Sequence, residues 1–138
     1  NMSIGIASAH GKSQIHNAGG FLGISKQNAF LEAMAEACKS VVDYMGSENI
    51  VYINVANRLS VDCDCDSNPA EPKMADIGIF ASTDPVAVDQ ACVDAVYRSP
   101  DEGKKDLIKR IESRNGIHTI EAAEILGLGS REYEIVEI

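Results

Sequence analysis

Asp76-Ile77-Gly78-Ile79-Phe80-Ala81-Ser82-Thr83-Asp84-Pro85-Val86-Ala87-Val88-Asp89-Gln90-Ala91 is the stretch that decides how this chain folds. Residues 76–82 are apolar almost without interruption, which predicts a strand of the kind usually covered on both faces. Asp84 then offers a carboxylate that can accept from the first unpaired helical amides. Pro85 suits the first helical position, where its missing N–H would have no partner anyway. Val88, Ala91, Cys92, Ala95 and Val96 recur with helical period and predict the buried stripe of a helix ending near Ser99-Pro100. A strand handed directly to a helix predicts a layered α/β arrangement.

Upstream, Asn49 to Asn57 is β-branched and nearly continuously apolar, a second strand. Ser25 to Met45 carries Phe30, Leu31, Met34, Ala35, Cys38, Val41, Val42 and Met45 on one helical face and is closed by Gly46. The amino end, Asn1 to Ala7, enters a strand-like pattern at once. Downstream, Asp101 to Arg114 sets Leu107, Ile108 and Ile111 on one face and Lys104, Lys105, Lys109 and Arg110 elsewhere, the pattern of a solvated surface helix whose charges need no function. Thr119 is expected to cap a short helix running to Leu126, with Gly127 and Gly129 ending it. The alternating tail Glu132 to Ile138 predicts a last strand at or near a sheet edge. The expected fold is therefore a single α/β domain over residues 1–138, with a mixed or parallel sheet of about four strands flanked by helices.

The chain has 138 residues, 45% of them hydrophobic, enough for one domain with a proper core. A net charge of -9 and the lack of a Lys/Arg stripe interleaved with aromatics argue against nucleic acid as a partner. The apolar runs fall far short of the roughly 20 residues needed to span a bilayer, so no membrane is expected. Four cysteines are too few for a disulfide framework and suit a reducing cytoplasm.

Chemistry is to be sought at Asp62-Cys63-Asp64-Cys65-Asp66, the densest set of metal-ligand types in the chain. Thiolates bind zinc, iron or copper(I), and residues two apart in an extended segment point the same way, so Cys63 and Cys65 suit one ion. Two donors are too few, and His16 and, after it, His10 are the candidates to complete the set. The competing reading is a turn whose aspartates cap backbone amides and whose cysteines fill small gaps. Three neighbouring carboxylates would raise the thiol pKa values and make these cysteines slow nucleophiles, and a disulfide between them would be strained. A calcium loop fails: Ser67 stands where Gly is required and Lys73 where a bidentate Glu is required.

Gly5 to Ser13 reads almost like a phosphate-binding loop, but it has five residues between its glycines where the motif has four, and the adjoining Gln14 to Gly20 segment is a poor helix opening. Lys12 with glycine amides could still hold an anion, against the alternative of a flexible surface loop. Cys38 and Cys92 fall on helical stripes and read as inert core residues. His118 reads as a loop or capping histidine. Asp89 and Asp94 read as solvated, with Asp89 near a cleft. The commonest hydrolase and dinucleotide signatures are absent.

Gly5-Ile6-Ala7-Ser8 with Gly11-Lys12 and His16, then Phe30 to Glu36, Asp62-Cys63-Asp64-Cys65, Asp76-Ile77-Gly78-Ile79, Ser82 to Ala91, and the Gly127 to Tyr133 ending together resemble the carboxy-terminal half of the family catalogued as domain of unknown function 362. The resemblance runs over essentially the whole chain and implies that roughly the first half of a complete protein is missing. Members of that family are often described as iron-sulfur proteins. Here no cysteine lies between His16 and Phe30, so the Cys-x-x-Cys-x-x-Cys series of a [4Fe-4S] insert is absent. What the resemblance carries over is that His16, Cys63 and Cys65, with Lys12 and Asp84 as cofactor-binding candidates, face a common site.

The expected function is a metal-binding (zinc or iron) or small-ligand-binding domain, with a redox association from the family. Two rivals stand beside it. One is the carboxy-terminal part of an enzyme whose catalytic residues lie mostly in the missing half. The other is a structural or partner-docking domain without metal. The missing amino-terminal half is the expected partner, and a homo-oligomer is compatible with the sequence.

Overall fold

The computed structural model describes residues 2–18, 26–63 and 66–138. Its elements in chain order are α1 (Ala9–His16), α2 (Gln27–Met45), β1 (Tyr52–Ala56), β2 (Gly78–Ser82), α3 (Pro85–Arg98), α4 (Lys104–Ser113) and α5 (His118–Ile125), with a short 3₁₀ turn at Ser47–Asn49.

The decisive stretch folds as expected at its centre. Asp84 caps α3: its Oδ1 accepts from the amides of Val86 and Ala87 at 2.8 and 2.9 Å, and Pro85 occupies the first turn. Val86, Ala87, Val88, Gln90, Ala91 and Val96 are the buried residues of α3, which lies against β1, β2, α4 and α5. Helix α2 buries Leu31 and Ala35, packs mainly on α5, and ends at Gly46, whose φ of +80° is open to glycine without a Cβ penalty.

The expectation of about four strands in a mixed or parallel sheet is overturned. Among the described residues the sheet has two strands, and β1 and β2 run antiparallel with Tyr52 opposite Ser82 and Ala56 opposite Gly78. The physical reason lies in the connection. A parallel pair needs a crossover, usually a helix, and the described part of the 57–77 segment forms none; it holds Pro69 and Pro72 and a series of turns.

Neither flanking segment adds a strand. Residues 2–7 form turns leading into α1, whose cap is the Ser8 hydroxyl accepting from the Gly11 amide, so part of the presumed glycine-rich loop is helix. The tail, residues 132–138, has no regular secondary structure and joins no sheet among the described residues. Thr119 is not a cap either, because α5 begins at His118 and no side chain caps it.

Coverage of the strands on both faces is also overturned. Tyr52 and Ala56 turn inward toward α3, whereas Ile53, Val55 and Ile79 are 63%, 57% and 71% exposed on the other side. Among the described residues the helix that contacts both strands is α3, on the side of Tyr52 and Ala56, so the β-branched residues of the opposite face find no described element to pack on. No helix among the described residues is long and apolar enough to cross a membrane.

Candidate functional site

The loop between the strands is held in place from three directions. Asp101, just before α4, accepts from the Ala75 and Gly103 amides at 2.7 Å each, and these bonds hold its carboxyl below the usual range. Gly103 approaches the chain at Lys73 so closely that a β-carbon there would overlap the Lys73 carbonyl. On the far side, Arg110 of α4 donates from Nε to the Val61 carbonyl at 2.7 Å and from Nη2 to Asp62 Oδ1 at 3.0 Å. Asp62 Oδ2 in turn accepts from the Ala70 amide at 3.0 Å, closing the loop on itself.

Between this loop and α4 lies a pocket of about 310 Å³. Leu59, Val61, Met74 and Leu107 give it apolar walls, and Lys73, Lys109 and Arg110 bring cations to it. Lys73 Nζ meets Asp106 Oδ2 at 2.5 Å, and that contact first, with the charge of Lys73, lowers the Asp106 pKa.

The described residues expected at a metal or anion site sit on the loop between the strands, on α1 and at the start of α3. Cys63 is exposed, directly after the two residues that Arg110 holds. Its carbonyl accepts from the Asp66 amide at 2.9 Å. Asp62 and Asp66 use their carboxylates on backbone amides, Asp66 on that of Asn68 at 2.9 Å, as the capping alternative expects. Asp64 and Cys65 lie outside the described residues.

His16 ends α1, and its ring stacks on Phe30 of α2 with centroids 5.2 Å apart; His10 is exposed in the first turn of α1. Among the described residues no three His, Cys, Asp or Glu side chains are grouped to hold an ion. Lys12 lies inside α1, and its amide is bonded to the Ser8 carbonyl at 2.8 Å. Asp84 is spent on the α3 cap and on the Ser130 amide, which Oδ2 accepts at 2.9 Å.

Several residues do more than their local sequence pattern suggests. Arg110 has the pattern of a solvated charge, and no local signal ties it to Asp62. Asp94, with the same solvated pattern, accepts from Gln90, Arg98 and Tyr133. Asp89 is exposed and accepts from Asn54 of β1 at 2.7 Å. His118 bridges Glu32 of α2 and Glu121 of its own helix.

The model of the family described as domain of unknown function (DUF362) matches residues 1–94. The chain belongs to the DUF362 family. The DUF362 match spans α1, α2, both strands, the acidic thiol loop and α3 as far as Asp94, and leaves α4, α5 and the Gly127 to Tyr133 ending outside. The pocket therefore joins a wall inside the DUF362 match, the 59–74 loop, to a wall outside it, α4. No curated protein and no solved structure matches the chain.

Proposed function

We propose that this DUF362 chain binds a small anionic ligand with an apolar portion in the pocket between α4 and the 59–74 loop. One observation carries the reading, a cation beside apolar walls that no ion pair among the described residues takes up. In a chain of -9 overall, Lys73, Lys109 and Arg110 line the pocket with Glu71 and Asp106, and Asp62 pairs with Arg110. Apolar walls with a few convergent polar groups are the usual form of a small-molecule site. Arg110 and Lys73 have protein partners, whereas Lys109 has no ion pair among the described residues and is the cation available to a ligand. A reducing cytoplasmic setting is part of this reading.

Titration with hexanoate, and with inorganic phosphate as the bare anion, tests it. Hexanoate should raise the melting temperature with concentration, as any ligand selective for the native state does. Replacing Lys109 by Gln should weaken that binding by about tenfold, the loss of one charge-assisted contact. Absence of any shift with either anion at millimolar concentration would sink the reading.

A second reading is a thiolate site for zinc or iron at Cys63 and Cys65, with His16 or His10 as further donors. It is favoured by the exposure of Cys63 on a segment pinned by Arg110. Stoichiometric metal in protein purified without added ions, lost on Cys63→Ser or Cys65→Ser, supports it. Metal-free protein of unchanged stability rules it out.

A further inference from the structure

The second strand has one edge paired with β1 and, among the described residues, no partner on the other. That other edge opens into a groove of about 630 Å³ lined by Ile77 to Ser82 on one side and by Tyr133 to Ile138 on the other. The floor is the face of α3 that carries Ala87, Ala91 and Ala95, four residues apart, with Val88 beside them. Small side chains at this spacing leave shallow room for the side chains of whatever lies above them.

The far wall is unusual in its sequence. Tyr133-Glu134-Ile135-Val136-Glu137-Ile138 has the composition of a strand yet pairs with nothing among the described residues, and Ile135, Val136 and Ile138 are exposed. Its start is fixed by the Tyr133 hydroxyl donating to Asp94 at 2.7 Å and by Arg131 donating from its amide to Glu124 and from Nε to Gln90. The tail is thus anchored at the near end and held across a groove from a strand with a free edge.

We propose that this groove accepts an extended segment of a separate polypeptide, which adds to the free edge of β2 as the next strand and lies between it and the tail. Three features specify the occupant. Its backbone would continue the β1–β2 ladder over Gly78–Ser82, a length of about 17 Å at strand rise. Its inward side chains would be small or β-branched apolar groups, to fit the alanine floor of α3. It would also carry basic side chains: Glu134 and Glu137 stand on the far wall of a chain of net charge -9, and the cation of the lining, Arg98, is already paired with Asp94. The same charges disfavour a second copy of the acidic tail as occupant, since like charges on adjacent strands repel.

The probe is a synthetic peptide of about nine residues alternating valine and lysine, long enough to cover β2 with a residue or two to spare at each end. Its control is the same peptide with every second amide N-methylated, which keeps charge and apolarity but removes ladder donors. The expected result is binding of the unmodified peptide, with amide exchange at Gly78–Ser82 slowed about tenfold or more, and at least tenfold weaker binding of the methylated one. Equal binding of both peptides without slowing at β2 means electrostatic adsorption and overturns the proposal, as does no binding. A version ending at Tyr133 tests the remaining occupant, the chain's own tail. If the β2 amides are protected in the peptide-free protein and lose that protection when residues 134–138 are removed, the tail fills the groove and the proposal is wrong.

Discussion

Arg110 and Asp62 meet side chain to side chain across 48 positions of sequence, with Nη2 and Oδ1 3.0 Å apart while Arg110 Nε holds the Val61 carbonyl. A planar fork reaching a carboxylate and a carbonyl at once is geometry that lysine cannot copy. Replacing Arg110 by Ala should cost about 1–2 kcal/mol, a moderate value because the pair is only partly buried. Arg110→Lys should recover less than half of that loss. Urea denaturation measures both, and unchanged stability in the alanine variant would show that the loop is fixed elsewhere.

Asp84 divides its two oxygens between two segments. Oδ1 takes the Val86 and Ala87 amides at the start of α3, and Oδ2 takes the Ser130 amide behind the close approach of Gly129. Asp84→Ala should destabilise by about 1–2 kcal/mol through loss of the cap. Asp84→Asn keeps one acceptor for the cap but turns an amide group toward Ser130, so it should preserve α3 and speed amide exchange at Ser130. Equal exchange at Ser130 in the wild type and the asparagine variant would contradict this division.

The His118 pKa is raised, first by its hydrogen bond to Glu32, which burial opposes, and further by its bond to Glu121 and the charges of both carboxylates. Glu32 on α2 and Glu121 on α5 are the charged groups against it, and Arg131 also pairs with Glu121. A folded pKa above the ordinary 6.5 means that the imidazolium is favoured by folding. The stability it adds is fully present below 6.5 and is lost as pH rises through the elevated folded value. The melting temperature of the wild type should therefore exceed that of His118→Gln near pH 5.5, with the difference shrinking as pH rises above 6.5 through the elevated folded value. A difference that stays constant over that range would mean that the α2–α5 contact is held without the charge.

Cys38 and Cys92 have raised pKa values, in both cases chiefly from burial, with the Asp89 charge adding to it. Bonds from Ser3 and from Asn54 work in the opposite direction. Fewer thiolates and less access should make both residues react with iodoacetamide at least about tenfold more slowly than exposed Cys63, until denaturant is added. Mass mapping of the alkylated sites against time checks the order. Labelling of Cys38 as fast as Cys63 in the native protein would contradict it.

Much of the helical part of the fold is legible in the sequence because its signals are local. The period of Leu31, Ala35 and their neighbours, the Asp84-Pro85 start and the Gly46 stop each act within a turn or two, and α2 and α3 form close to where they point. The sheet is not legible for a matching reason. Ile50 to Val55 and Ile77 to Ala81 announce extended chain, but nothing within them says how many strands join or in what direction. The candidate site is legible only on its loop side. Asp62 and Cys63 stand out, while Lys73, Lys109 and Arg110 look like ordinary surface charges until α4 is laid beside the loop.

The sequence by itself determined close to where α2 and α3 start and stop, that the runs at 50–55 and 77–81 are extended, and membership of the DUF362 family, because each depends on residues near one another in the chain. Only the tertiary structure decided that the strands pair antiparallel with Ile53, Val55 and Ile79 exposed on one face, that Arg110 holds the acidic thiol loop at Asp62, and that the tail stands across a groove from β2. These are contacts between residues tens of positions apart. They are set by which surfaces remain to be covered once the local elements have formed, and no short window of sequence contains that information.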